Sequence, residues 1–147
     1  MRSNARSTSR RCPMAAPLPD TALELLARSD AELVAAASAT TPEEAFRHAH
    51  LAAMRAGAAV LAVRGRPGPR TRARTVWDMV ARVAPELAPF TAYFAGNAAA
   101  RAAVEAGRAG AVDAARARRA TAAAEDFHAA VRALVAEPQG GLALRAS

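Results

Sequence analysis

Three histidines, His48, His50 and His128, are the side chains best suited to move a proton near neutral pH, because an unperturbed imidazole titrates there. His50 follows Phe46 by four residues and precedes Ala53 by three, so on a helix it shares their apolar face. Burial there lowers its pKa and calls for a hydrogen-bond partner. A neutral imidazole so placed serves as an acid/base group or cross-links two helices. His48 points the other way, towards solvent. Arg116 falls on the inner side of the last apolar seam and needs a partner, for which Asp30 and Glu125 are the acidic candidates. Arg118, Arg119 and His128 flank the same seam. Glu125 and Asp126 adjoin only in sequence. Helical neighbours point about 100° apart, so they do not form a catalytic dyad.

Phosphate binding has a different set of candidates. Arg64, Arg66, Arg70, Arg72 and Arg74 fall within RGRPGPRTRAR, a segment with no acid. They are the candidate nucleic-acid contacts. No aromatic is interleaved, so any binding is backbone-driven and salt-sensitive rather than built on base stacking. A solubilising surface loop is the plain structural reading of the same residues, and Arg64 is in any case favourable at a helix C-terminus. The formal charge is +7 and the pI near 11.4. The excess lies in this segment and in an N-terminal stretch holding Arg2, Arg6, Arg10 and Arg11, not on a helix face. Cys12 is the single cysteine, which excludes an intramolecular disulfide. No metal-ligand cluster, phosphate-cradling Gly-rich loop or nucleophile motif is present, so neither metal nor cofactor is expected.

These residues need helices to position them. Hydrophobic residues make up 52% of the 147, but only 4% are aromatic and Ala dominates. Ala is the best helix former and the β-branched supply is small, which excludes an all-β domain. All 20 basic residues are Arg, and Lys and Ile are absent. That is the stamp of a GC-rich genome and says little about function. Asp20 caps a first helix running to about Ala39, with Leu23, Leu26, Asp30, Leu33 and Ala37 as its stripe and Leu25 and Val34 broadening it. Thr41-Pro42-Glu43-Glu44 supplies an N-cap hydroxyl, a proline at the first helical position and a glutamate at the third. The second helix runs to about Val63, and Gly57 within it predicts a close approach by another helix. Thr75 and Asp78 cap a short helix to about Ala84 that buries Trp77, Val80 and Val83. A further helix spans about Glu86 to Ala106, kinked at Gly96-Asn97. The last runs from about Val112 to Ala136, and Ala120, Ala124, Phe127, Val131 and Leu134 set the rhythm of an antiparallel seam.

The expected fold is all-α, an up-and-down antiparallel bundle of four long helices plus one short helix over residues 20–136. Its core is Ala-rich with large plugs at Leu26, Phe46, Trp77, Phe90, Phe94 and Phe127. Residues 1–19 read as a disordered basic tail, in which Met14 is a candidate alternative start, and residues 137–147 as a flexible C-terminal tail. An Ala-rich seam buries less apolar area than a Leu-rich one, so a homodimer that covers a further face is expected. No stretch approaches the ~18 apolar residues of a membrane span and no secretory signal is evident, so the compartment expected is the cytoplasm.

The order of pieces is more specific than any one of them. The segments PEEAFRHAHLAAMRAGAAVLAVRGRPGPR and TVWDMVARVAPELAPFTAYFAGNAAARAAVEAG, with the final helix, together resemble the SAV_6107-type HEPN domains of actinobacteria. The similarity covers about Leu23 to Val135. It implies a small, often dimeric bundle of four core helices, in a class associated with RNA cleavage, toxin–antitoxin systems and nucleotide-related defence. RNA-cleaving members carry an Arg, four to six intervening residues, then His. Here His128 needs an arginine where Thr121, Ala122 and Ala123 stand, and His48 and His50 have none at that distance. The leading reading is therefore a non-catalytic HEPN-like module that binds RNA or a protein partner in a toxin–antitoxin or stress-defence setting. The alternative is a HEPN-type RNase with a rearranged site, whose candidate catalytic residues are His50, Arg116, Arg119 and His128.

Overall fold

The computed structural model describes residues 17–70 and 72–137. The tails read at 1–19 and 137–147 fall almost wholly outside these residues; only Pro17–Pro19 and Glu137 are described. Helix α1 spans Pro17–Ser38, α2 Pro42–Arg64 and α3 Val76–Val83. A 3-10 turn, Pro85–Leu87, leads into α4 (Ala88–Gly96), α5 (Ala98–Glu105) and α6 (Ala114–Ala136). The architecture is all-α, as the composition and periodicity require.

Helix starts follow the capping residues, with two differences. The Thr41 hydroxyl accepts the Glu44 amide at 3.1 Å, but the Glu44 carboxylate turns back to the amide and hydroxyl of Thr40, each at 3.3 Å. The reciprocal box expected at Thr41 is thus spread over two threonines. At α3 the box is complete, with Thr75 and Asp78 each receiving the other's backbone amide. Helix α1 starts at Pro17 rather than Asp20, leaving Asp20 as the acid of the first turn. Prolines fit there because first-turn amides have no intrahelical acceptor.

The buried face of α1 is rotated from the expected one. Ala22, Leu26, Ser29 and Ala36 are buried and Leu33 is half-buried, whereas Leu23 and Val34 are exposed. Both stripes share Leu26 and Leu33, and the choice between them is made at positions 29 and 30. A hydroxyl can enter the bundle if it finds a partner, while the Asp30 charge stays in water.

Helix α2 is the centre of the bundle. Its buried positions include Phe46, His50, Ala53, Gly57, Val60 and Leu61. A short turn returns it against α1, so the two run antiparallel. A Cβ on Gly57 would lie 3.3 Å from Val76 Cγ2, so α3 makes the close approach predicted there. Where a kinked helix was expected, Asn97 separates α4 from α5. Phe90 and Phe94 pack on Phe127, with ring centroids 5.3 Å and 6.0 Å apart, and Asn97 bonds Arg116 further towards the start of α6. Helix α4 therefore runs opposite to α6. Before α6, Gly107 and Gly110 turn the chain with φ of 76° and 72°, and the Gly110 amide is held by Glu43 at 3.0 Å. Ala120, Ala124, Phe127, Val131 and Leu134 form the buried seam of α6, and of the six expected plugs only Phe90 is half-buried.

Candidate functional site

His50 sits deep in the aromatic part of the core, 1% exposed. The Phe46 ring, one turn earlier on α2, lies 4.6 Å from it at a 40° tilt. Phe94 of α4 meets it edge-on at 5.3 Å, and Trp77 stacks on Phe94 at 5.1 Å. Neither His50 nitrogen has a well-formed hydrogen bond, so the partner that the sequence calls for is missing. The physical reason is the neighbourhood, which α3 and α4 supply as ring faces and edges. Burial pushes the His50 imidazole down to about 4. The Phe46 carbonyl and Glu105 oppose this, and the Arg101 and Arg116 guanidinium groups reinforce it. The imidazole is therefore neutral at neutral pH.

Arg116 is directed inward, as its register predicts, but its partner is neither Asp30 nor Glu125. Its Nη2 donates to Asn97 Oδ1 at 2.6 Å, and its guanidinium carbon lies 6.0 Å from the centre of the Phe46 ring. The break between α4 and α5 carries Asn97 into the bundle, where a neutral amide receives the cation. Asp30 stays on the outer side of α1 and Glu125 on the outer side of α6. Asn97 is itself buried, and its Nδ2 has no partner. In the sequence Asn97 reads only as a helix breaker; a polar residue beside Gly96, opposite an inward arginine, is the available signal.

His128 occupies a different setting. Its Nδ1 lies 2.9 Å from Ser29 Oγ, and that hydroxyl donates to the Ala52 carbonyl at 2.8 Å. A serine has one hydroxyl proton, so Ser29 must accept from His128. That assigns the proton to Nδ1 and joins α1, α2 and α6 through one buried chain. Burial lowers the His128 pKa, Arg132 adds to the effect and Asp30 opposes it. Ser29 is the second polar residue that sequence reasoning missed; its place in the buried register of α1 was the only signal.

The remaining candidates separate. Arg118 and Arg119 are exposed. Arg119 lies nine residues from His128 on one helix, about 13 Å along the axis, so the two do not meet. His48, expected in solvent, is half-buried, with Nδ1 2.7 Å from Glu32 of α1. Arg64 donates to the Val83 carbonyl at 3.1 Å and pairs with Glu86 at 2.7 Å, pinning the end of α2 to the end of α3. Arg66 reaches the Met79 sulfur at 3.7 Å. Arg70, Arg72 and Arg74 are exposed. Among the described residues, no group of three His, Cys, Asp or Glu is placed to hold a metal ion, and no helix is long and apolar enough to cross a membrane.

The site thus has two buried imidazoles in unlike surroundings, one inward arginine on an amide, and a basic segment whose first arginine is committed to structure. Compared with known proteins, residues 36–132 match a family model described as SAV_6107-like HEPN. No curated protein and no solved structure matches the chain significantly.

Proposed function

This chain belongs to the SAV_6107-like HEPN family, and from that premise we propose a non-catalytic helical module that acts by binding RNA or a protein partner, as a homodimer in the cytoplasm. The observation that carries the reading is the commitment of both inward imidazoles. His50 is enclosed by Phe46 and Phe94, and His128 gives its Nδ1 proton to Ser29. A general base needs hydrogen-bond reach to the proton it abstracts, and each ring is turned to packing instead. The inward Arg116 is spent on Asn97 and the Phe46 face.

Exposed Leu23 and Val34 on α1 support the homodimer, since a second copy would remove them from water. Exposed Arg70, Arg72 and Arg74 support the RNA arm of the partner reading. The test is cleavage of RNA by the purified chain. No cleavage above background is expected, and cleavage lost in His50→Ala or His128→Ala overturns the reading. Capture of partners from RNase-treated and untreated lysates separates a protein from an RNA. If RNA is bound, deleting residues 66–74 reduces the salt dependence of its affinity; an unchanged slope removes this segment from the interface.

The alternative, an RNase with a rearranged site, is favoured by one observation. Arg116, Asn97 and His50 gather around Phe46, with a buried amide nitrogen left unpaired. It predicts cleavage that depends on Arg116, which the same assay reads.

A further inference from the structure

A cavity of about 380 Å³ opens beside His50, between α2, α3 and the joint of α4 with α5. Met54, Trp77, Phe94 and Ala98 give it largely apolar walls, and His50 and Arg101 line it too. The polar atoms of the α3 cap are already spoken for. Thr75 accepts the Asp78 amide, and the Asp78 carboxylate accepts the Arg74 and Thr75 amides. What remains is the pair of His50 nitrogens, buried without a partner, and the Arg101 guanidinium. Arg101 Nε reaches Glu105 at 3.4 Å, long for a charge-assisted bond, with 37% of the side chain exposed.

A neutral imidazole and a guanidinium therefore line one apolar cavity. A single anion between them would pair with the guanidinium and accept the imidazole N–H. The apolar walls ask for a flat body attached to that anion, since Trp77 and Phe94 stack and extend along one side. The volume suits a one- or two-ring molecule, small-molecule sites starting at about 300 Å³. A formal charge of +7 favours encounter with an anion.

We propose that this cavity binds a small aromatic carboxylate, with its ring along Trp77 and Phe94 and its carboxylate between Arg101 and His50. The imidazole nitrogens lie below the water-accessible surface, so engaging them requires one wall to move. Met54 is that wall, because its unbranched thioether chain changes rotamer at small cost. The proposal stands apart from the partner-binding reading and does not depend on its outcome.

Trp77 is the only tryptophan in the chain, so its fluorescence reports directly on the cavity. The full-length protein is titrated with benzoate, and with benzamide as the uncharged counterpart. A saturable change with benzoate is expected, at least about tenfold weaker with benzamide and in Arg101→Gln, the size of one lost charge-assisted bond. Ala98→Phe, which fills the cavity from an exposed position, abolishes the response. Arg101 is half-exposed, so Arg101→Gln keeps the fold, and its circular dichroism spectrum is expected to match the parent. A response that does not saturate overturns the proposal. So does equal binding of benzamide, or a benzoate affinity unchanged in folded Arg101→Gln.

Discussion

The surroundings of His50 and of His128 are two polar interruptions of one Ala-rich core, and they are built in opposite ways. His50 lies among rings supplied by α2, α3 and α4, with no well-formed hydrogen bond. His128 lies on the α1–α2–α6 seam and is held through Ser29 to the Ala52 carbonyl. Both are buried, and burial lowers the pKa of both. Burial alone therefore does not distinguish a structural histidine from a functional one; the atoms around each nitrogen do. A satisfied imidazole gives three helices a unique register. An unsatisfied one lowers stability where it stands, and it is the group to which a ligand or a mutation can make the larger difference.

The sharpest test of this contrast is acid unfolding. The unfolded His50 binds a proton below its ordinary value of 6.5, while the folded one does so only near 4. Stability is therefore full above pH 6.5 and falls as pH drops towards 4, by about 3 kcal/mol for this residue. Urea titrations at stepped pH measure it. The window lies mostly above the titration of unfolded carboxylates, so the slope is not theirs. His50→Leu should remove most of the slope, and a slope that survives in this variant would reassign it to His128.

Next in size is the seam. Ser29→Ala leaves the His128 Nδ1 proton without an acceptor and should cost about 1–3 kcal/mol. Adding His128→Leu should return part of that loss, and a double-mutant cycle in urea reads the coupling, about 1 kcal/mol. Strict additivity would mean that the bond contributes nothing to register.

The smallest effect has the opposite sign. At neutral pH, His50→Leu should stabilise the protein by about 1 kcal/mol, because it removes two buried nitrogens with no well-formed hydrogen bond and keeps the apolar volume. A clear loss of stability would show that the Phe46 carbonyl holds the ring more firmly than its geometry indicates.

Much of this framework was legible in advance. The α6 seam was readable because its large residues recur at alternating steps of four and three between alanines, which leaves one apolar face. Both threonine caps were readable because a hydroxyl followed three residues later by an acid has few other uses at a helix start. The inward face of α1 is ambiguous in the sequence because its leucines do not single out one stripe. Leu23, Leu26 and Leu33 fit one stripe, and Leu26 and Leu33 fit the adjacent one equally well. Charge points to an acid as the partner of Arg116, but a helix break 19 residues earlier places an amide there instead.

Helix content, the caps, the inward face of α6 and the absence of an Arg–His pair at RNase spacing depend on residues a few positions apart, and periodicity and stereochemistry fix those locally. Which nitrogen finds a partner, which face of α1 turns inward and which rings enclose His50 depend on residues as much as 99 positions apart. Those outcomes followed from packing, because a buried polar atom is stabilised only by whatever another helix happens to place against it.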